Sequence, residues 1–219
     1  MRILHSRKLI FVSKPRCGST SVRRTLSKLM VSGDIEVDTP NHDLGLHPHM
    51  SAPAIHAWLR EQGIDPNSYT TFIITRNPFD MLWSYYNFFL PDMKSRYNYS
   101  REYDDKNIMP FLEWLERGRV GVGKYWAKFL PRHVRTTNLS PLSLEAHILN
   151  EDDIPFADQV LKIEESRRCE EFLCDQLGEK VEMPRTNGSG ASNICHIPIA
   201  TREKIAAQFP METRMYSSS

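Results

Sequence analysis

A single turn concentrates most of the chemistry available to this sequence. In KPRCGSTS, Lys14 and Arg16 bring two positive charges, and Ser19 and Thr20 bring hydroxyl donors. Gly18 lets the backbone approach a ligand closely. If a helix starts where the turn ends, its first N–H groups lack partners within the helix, and its dipole favours negative charge. Cations, hydroxyls and N–H donors around a helix start make a cradle for an anion, most naturally a phosphate or a sulfate.

The elements that must position this turn are visible on both sides of it. Lys8 to Val12 is a short apolar run of β-formers, as in a strand covered on both faces. From Ser21 onward, Val22, Leu26 and Leu29 fall on one helical face. TTFIIT, Thr70 to Thr75, is a second interior strand, and DQVLKI, Asp158 to Ile163, a third. Asn77 suits an N-cap, with Pro78 in the first helical position and Asp80 in the first turn, ahead of the aromatic run FDMLWSYYNFF. Trp83, Tyr85, Tyr86, Phe88 and Phe89 could stack a planar ring or a sugar, but a run this dense at helical spacing reads first as core.

Further helices are expected from Ser51 to Gly63, Met109 to Arg117, Gly123 to Leu130 and Glu165 to Leu177, the last stopped by Gly178. Thr201 should cap a final helix that stops at Pro210. Residues 31 to 50, 90 to 107 and 186 to 193 read as loops, and Pro131 to Pro155 as mostly loop with a short strand. Strands alternating with helices indicate an α/β fold with a mostly parallel sheet flanked by helices, whose ligands sit beyond the carboxyl ends of the strands. The 219 residues are expected to form one domain, 1–219, with 217–219 frayed.

The second strand also ends on a cation, Arg76, with Ser84 two helical turns further on. Together, KPRCGSTS and RNPFDMLWSYYNF resemble the two nucleotide-binding motifs of the sulfotransferase family, which uses 3′-phosphoadenosine 5′-phosphosulfate as donor. The resemblance is nearest to the carbohydrate-type members. It implies a P-loop-like nucleotide-binding architecture in which the first motif holds the 5′-phosphosulfate, and Arg76 and Ser84 hold the 3′-phosphate. Carried over residue by residue, it places Lys14, Arg16, Cys17, Gly18, Ser19 and Thr20 in the first motif. HMSAPAIHAWL is similar to the family's His-bearing segment, which makes His49 the general base, with His47 in reserve. VLKIEE and MPRTNGSG resemble later segments, the latter a loop over the nucleotide to which Asn187 and Ser189 would belong. The family usually has Lys where Arg16 stands, so the leaving group falls to Lys14 and Arg16 in shares that the pattern leaves open. The acceptor is expected to be a hydroxyl on a carbohydrate or other small molecule, with a peptide tyrosine still open.

Bulk properties narrow the classes. A net charge of +1 and the absence of a basic-aromatic stripe argue against a nucleic-acid partner. The charge is nevertheless uneven, with eight cations and no acid before Asp34. No apolar run reaches the length of a membrane span, MRILHSRKLIF lacks the features of a signal peptide, and no membrane partner is expected. Four scattered cysteines without a C-x-x-C pair point to a reducing compartment, so a cytoplasmic location is expected. No metal is expected either, since the spacing of His42, His47, His49 and His56 matches no standard zinc pattern. Oligomeric state is not legible.

Three other readings compete. Cys17 and Arg23 satisfy C-x5-R between a strand and a helix, the layout of cysteine-dependent phosphatases, with Cys17 as nucleophile and Arg23 as clamp. That reading leaves Arg76 and Ser84 without a role. A nucleotide kinase would need G-x-x-x-x-G-K-[ST], which the turn lacks. A non-catalytic nucleotide-binding module would keep the site and drop turnover. Glu164 and Glu165 read as acids at a helix N-terminus.

Overall fold

β2 (Leu9–Val12) and β4 (Thr70–Thr75) lie side by side in the interior of the sheet, as two apolar, β-rich runs without polar alternation should. The computed structural model describes residues 1–92, 111–116, 134, 138–184 and 197–217. With β1 (Arg2–Leu4), β3 (Ile35–Glu36) and β5 (Gln159–Lys162), the five strands are ordered β3-β1-β2-β4-β5. β4 pairs in parallel with both β2 and β5, and Phe11 stands opposite Phe72. β1 is antiparallel to both β2 and β3, so it alone opposes the other four strands. The fold is therefore mixed α/β, with a mostly parallel sheet flanked by helices.

Side-chain alternation along β2 divides the core. Ile10 and Val12 join Ile73 on one face, where Ile55 and Leu59 of α2 (Ala52–Glu61) and Leu144 and Ile148 of α5 (Leu144–Ile148) cover them. Leu9 and Phe11 point the other way, with Phe72, Ile74 and Leu161. That face is covered by Val22 and Leu26 of α1 (Ser19–Ser27) and by Leu173 and Leu177 of α6 (Ser166–Leu177). Each of these fully buried side chains contributes about 1.5–3 kcal/mol. A third cluster is built around α3 (Pro78–Asp92). There Met81, Leu82, Tyr85 and Tyr86 pack with Cys17, with Trp114 of α4 (Phe111–Glu116), and with Ile205 and Phe209 at the end of α7 (Ile199–Gln208).

The sequence expectations differ from the structure in four places. Three-residue β1 and two-residue β3 are too short to show a period. α5 replaces the loop or strand expected between Pro131 and Pro155, and the Ser143 side chain caps it by accepting from the Ala146 N–H at 3.2 Å. α3 continues to Asp92 rather than giving way to loop at residue 90. Finally, Thr201 lies inside α7, and Pro210 opens a further helix, α8 (Pro210–Ser217). Proline suits a first helical turn as well as a stop, so its position alone does not distinguish the two. The expected helix Gly123 to Leu130 and the loop at 186 to 193 lie outside the described residues.

Candidate active site

The turn after β2 is shaped by two residues in the left-handed region, Arg16 at φ 59° and Gly18 at φ 74°. Gly18 is required twice over: a Cβ there would also lie 2.6 Å from Cδ1 of Ile163, just beyond β5. The Ser19 hydroxyl donates to the Lys14 carbonyl and closes the turn on itself. Gly18 stands at the N-cap of α1, no side chain caps that end, and its first turn carries no acid. The positive end of the helix dipole is thus left uncompensated by the helix's own side chains.

Arg16 reaches across to the second motif. Its Nε and Nη2 both donate to the Ser84 hydroxyl, at 3.1 and 3.0 Å, and its guanidinium lies 4.4 Å from the centre of the Phe88 ring. Ser84 is buried, one turn before Phe88 on the same face of α3. Burial, then the charge of nearby Arg76, lowers the Arg16 pKa. The first motif is thus bonded to the second through Arg16 and Ser84, and Arg76, which follows β4, is near enough for its charge to act on Arg16. Phe88 does more here than the core reading allowed, since it is exposed while Tyr85 and Tyr86 pack inward.

The structure withdraws two side chains from the expected cradle. Lys14 is fully buried, with Nζ 3.1 Å from the Glu212 carboxylate of α8 and 2.9 Å from the Met81 sulfur. Burial works against its charge, but the adjacent Cys17 sulfur and Glu212 carboxylate outweigh it and hold the ammonium above its ordinary pKa. Its partner is supplied by a distant helix, so sequence reading could not foresee that Lys14 would face inward. Cys17 is also fully buried, and burial pushes its thiol pKa up. A buried, protonated thiol is neither a ligand contact nor a nucleophile. Arg23, the clamp of the phosphatase reading, instead pairs with Asp38 at 2.7 Å.

His49 stands beside the turn, its Nδ1 2.7 Å from the Ser13 carbonyl. A carbonyl can only accept, so Nδ1 carries the proton and Nε2 the lone pair of the neutral ring. His47 has the opposite arrangement: its Nδ1 accepts the His49 backbone N–H at 3.1 Å, which leaves Nε2 protonated in the neutral ring. Burial lowers His49 to about 3 and His47 to about 4. Buried His147, with Nδ1 2.9 Å from the Ser143 carbonyl, is lowered by burial to about 3.

These histidines make stability depend on pH. In the unfolded chain they bind protons below about pH 6.5, whereas in the folded protein they stay neutral down to about 4 or 3. Their stabilisation is complete above about pH 6.5 and erodes as the pH falls below it. Each contributes a slope that approaches about 1.4 kcal/mol per pH unit. The urea midpoint should therefore drop between pH 7 and pH 5, and by less in His147→Gln. A midpoint that is flat over this range would contradict the assignment.

Glu164 serves as a tie between elements. Its carboxylate accepts from the Asn77 N–H at 2.9 Å and from the Tyr216 hydroxyl at 2.6 Å, joining the ends of β4 and β5 to α8. Asn77 caps α3 as expected, accepting from the Phe79 N–H at 3.0 Å. Glu145 accepts the Met211 N–H and so fixes the start of α8, while burial and then the Glu212 charge raise its pKa. Sequence reading missed Glu145 and Glu212, whose only local sign is an acid inside an apolar stretch. Asn187 and Ser189 lie outside the described residues. Among the described residues, no three His, Cys, Asp or Glu side chains cluster as a metal would require, and no helix is long and apolar enough to cross a membrane.

The described residues define an α/β protein in which Arg16 bonds Ser84 beside a helix start that no side chain caps. No known protein family matches the chain, and no curated protein matches it. Among solved structures it is similar to a sulfotransferase from Alicyclobacillus acidocaldarius, with 15% identity and a TM-score of 0.39 over 96% of this chain and 94% of that one. It is also similar to mouse sulfotransferase SULT7A1 complexed with PAP, with 14% identity and a TM-score of 0.39 over 98% of this chain and 83% of that one.

Proposed function

We propose that this protein is a sulfotransferase that moves a sulfuryl group from 3′-phosphoadenosine 5′-phosphosulfate to an acceptor hydroxyl. The observation that carries this reading is the bond from Arg16 to Ser84, which joins the two motifs beside the N-terminus of α1, with the charge of Arg76 acting on Arg16. The family resemblance of KPRCGSTS and RNPFDMLWSYYNF supports it independently.

In this reading the start of α1, with Gly18, Ser19 and Thr20, receives the 5′-phosphosulfate, and Arg76 and Ser84 receive the 3′-phosphate. The acceptor oxygen attacks sulfur in line and forms the new O–S bond. The S–O bond to the bridging oxygen breaks, and its electron pair leaves with 3′-phosphoadenosine 5′-phosphate. The acceptor proton passes to Nε2 of His49. Donors fixed where charge develops on the leaving phosphate lower the barrier, and alignment supplies much of the remainder. Lys14 acts from below, as a buried charge that holds the turn rather than as a contact. No metal and no covalent intermediate take part. The acceptor is a carbohydrate or other small-molecule hydroxyl, a choice that rests on the His-bearing segment.

Transfer of labelled sulfate from the donor to a panel of carbohydrate, phenolic and alcohol acceptors tests the activity. Tight binding of 3′-phosphoadenosine 5′-phosphate with no acceptor sulfated would make this a binding module instead. Arg76→Ala should weaken that nucleotide at least about tenfold by calorimetry, the loss of charge-assisted hydrogen bonds to a phosphate. Unchanged affinity would overturn the site assignment.

A further inference from the structure

One face of α8 serves both motifs. Glu212 and Tyr216 stand one helical turn apart on it, and Glu212 pairs with Lys14 of the first motif at 3.1 Å. Tyr216 reaches the second motif through one intermediary. Its hydroxyl donates to Oε2 of Glu164 at 2.6 Å, and Oε1 of the same carboxylate accepts the Asn77 backbone N–H at 2.9 Å. Each carboxylate oxygen thus takes one donor, one from α8 and one from the chain that leaves β4.

The intermediary needs both donors. Glu164 is exposed just beyond β5, and an exposed glutamate held by a single bond keeps much of its rotamer freedom. The Tyr216 hydroxyl removes that freedom, because the phenol is itself held: Nζ of Lys162, the last residue of β5, lies 4.9 Å from the centre of its ring. Burial, then the bond to Glu164, pushes the phenol pKa up, so the hydroxyl keeps the proton it donates. At the other end, the peptide between Arg76 and Asn77 is pinned by a charge-assisted hydrogen bond. Asn77 is held again where its side chain accepts the Phe79 N–H at 3.0 Å, and Pro78 narrows its backbone freedom. The direction in which the chain turns from β4 into α3 is therefore fixed from outside the motif.

We propose that Tyr216 is a positioning residue of the nucleotide site: through Glu164 it fixes the peptide between Arg76 and Asn77, so that α8, which carries neither motif, sets the shape of the second. The assignment rests on the sulfotransferase reading and extends it to the C-terminal helix. Tyr216 and Glu164 act through the backbone of the second motif and not by contact with the nucleotide.

Calorimetric titration of wild type, Tyr216→Phe, Glu164→Ala and the double variant tests the assignment, with 3′-phosphoadenosine 5′-phosphate and adenosine 5′-monophosphate as probes. Tyr216→Phe keeps the ring over Lys162 and removes only the hydroxyl. It should lose about fivefold in affinity for the first probe and stay within about twofold for the second, which lacks the phosphate that the second motif receives. Glu164→Ala should lose about tenfold for the first probe, and the double variant no more than Glu164→Ala alone, because both residues act along one path. A tie that only supports the fold would lower the urea midpoint of Tyr216→Phe and leave both affinities unchanged, which would overturn the assignment. Equal weakening toward both probes, or losses that add in the double variant, would overturn it too. Wild-type protein that binds neither probe would refute the sulfotransferase reading itself, and the assignment with it.

Discussion

Lys14→Met should destabilise the protein by about 3–5 kcal/mol, because it leaves the fully buried Glu212 carboxylate without its counter-ion. That is a large fraction of the roughly 5–15 kcal/mol by which a domain is stable. The double variant Lys14→Met with Glu212→Met should recover most of the loss, since Met81 and Cys17 already make the surroundings apolar and a neutral pair needs no compensation. Urea denaturation at pH 7 measures all three proteins. If Lys14 instead faced the leaving group, Lys14→Met would cut turnover and leave the urea midpoint nearly unchanged, and the buried pair would lose its structural role.

His49→Ala should lower turnover about a hundredfold while 3′-phosphoadenosine 5′-phosphate binds as in wild type, and His47→Ala should have a much smaller effect on rate. The distinction comes from proton placement. Donation from Nδ1 of His49 to Ser13 leaves its Nε2 able to accept a proton, whereas the lone pair of His47 is already engaged by the His49 N–H. General bases contribute about 10²–10⁴-fold, and a ring whose pKa is lowered to about 3 sits at the weak end of that range. The same low pKa has a second reading: turnover should show no loss from His49 protonation as pH falls from 7 to 5. A normal rate for His49→Ala would pass the role to His47 or to an acid.

How much of this was legible in the sequence depended on how local the cause was. β2, β4 and β5 announced themselves through short apolar or β-branched runs, and the start of α3 through Asn77, Pro78 and Asp80. Gly178 ended α6 in the left-handed conformation expected of it. β1 was hidden by its length and by Arg2, a charged residue at a fully covered strand position whose guanidinium pairs with Asp38 at 3.0 Å. In the site, residue types were legible and directions were not. Arg16, Arg76 and Ser84 could be named from their motifs, but that Arg16 spans from one motif to the other depends on a backbone turn at φ 59°. Lys14 was expected to share the leaving group with Arg16. Only the three-dimensional position of Glu212 shows that its charge is already taken.

The pairing of Lys14 with Glu212 also governs when the cradle can be completed. Synthesis proceeds at roughly 5–20 residues per second, so on the order of 10–40 s separate the appearance of these two residues on the ribosome. Through that interval the strand and turn that carry Lys14 exist while α8 does not, and an ammonium destined for a dry site has only water as its partner. The first motif thus cannot settle before α8 is made. The turn therefore depends on α8 as well as on the strand that carries it.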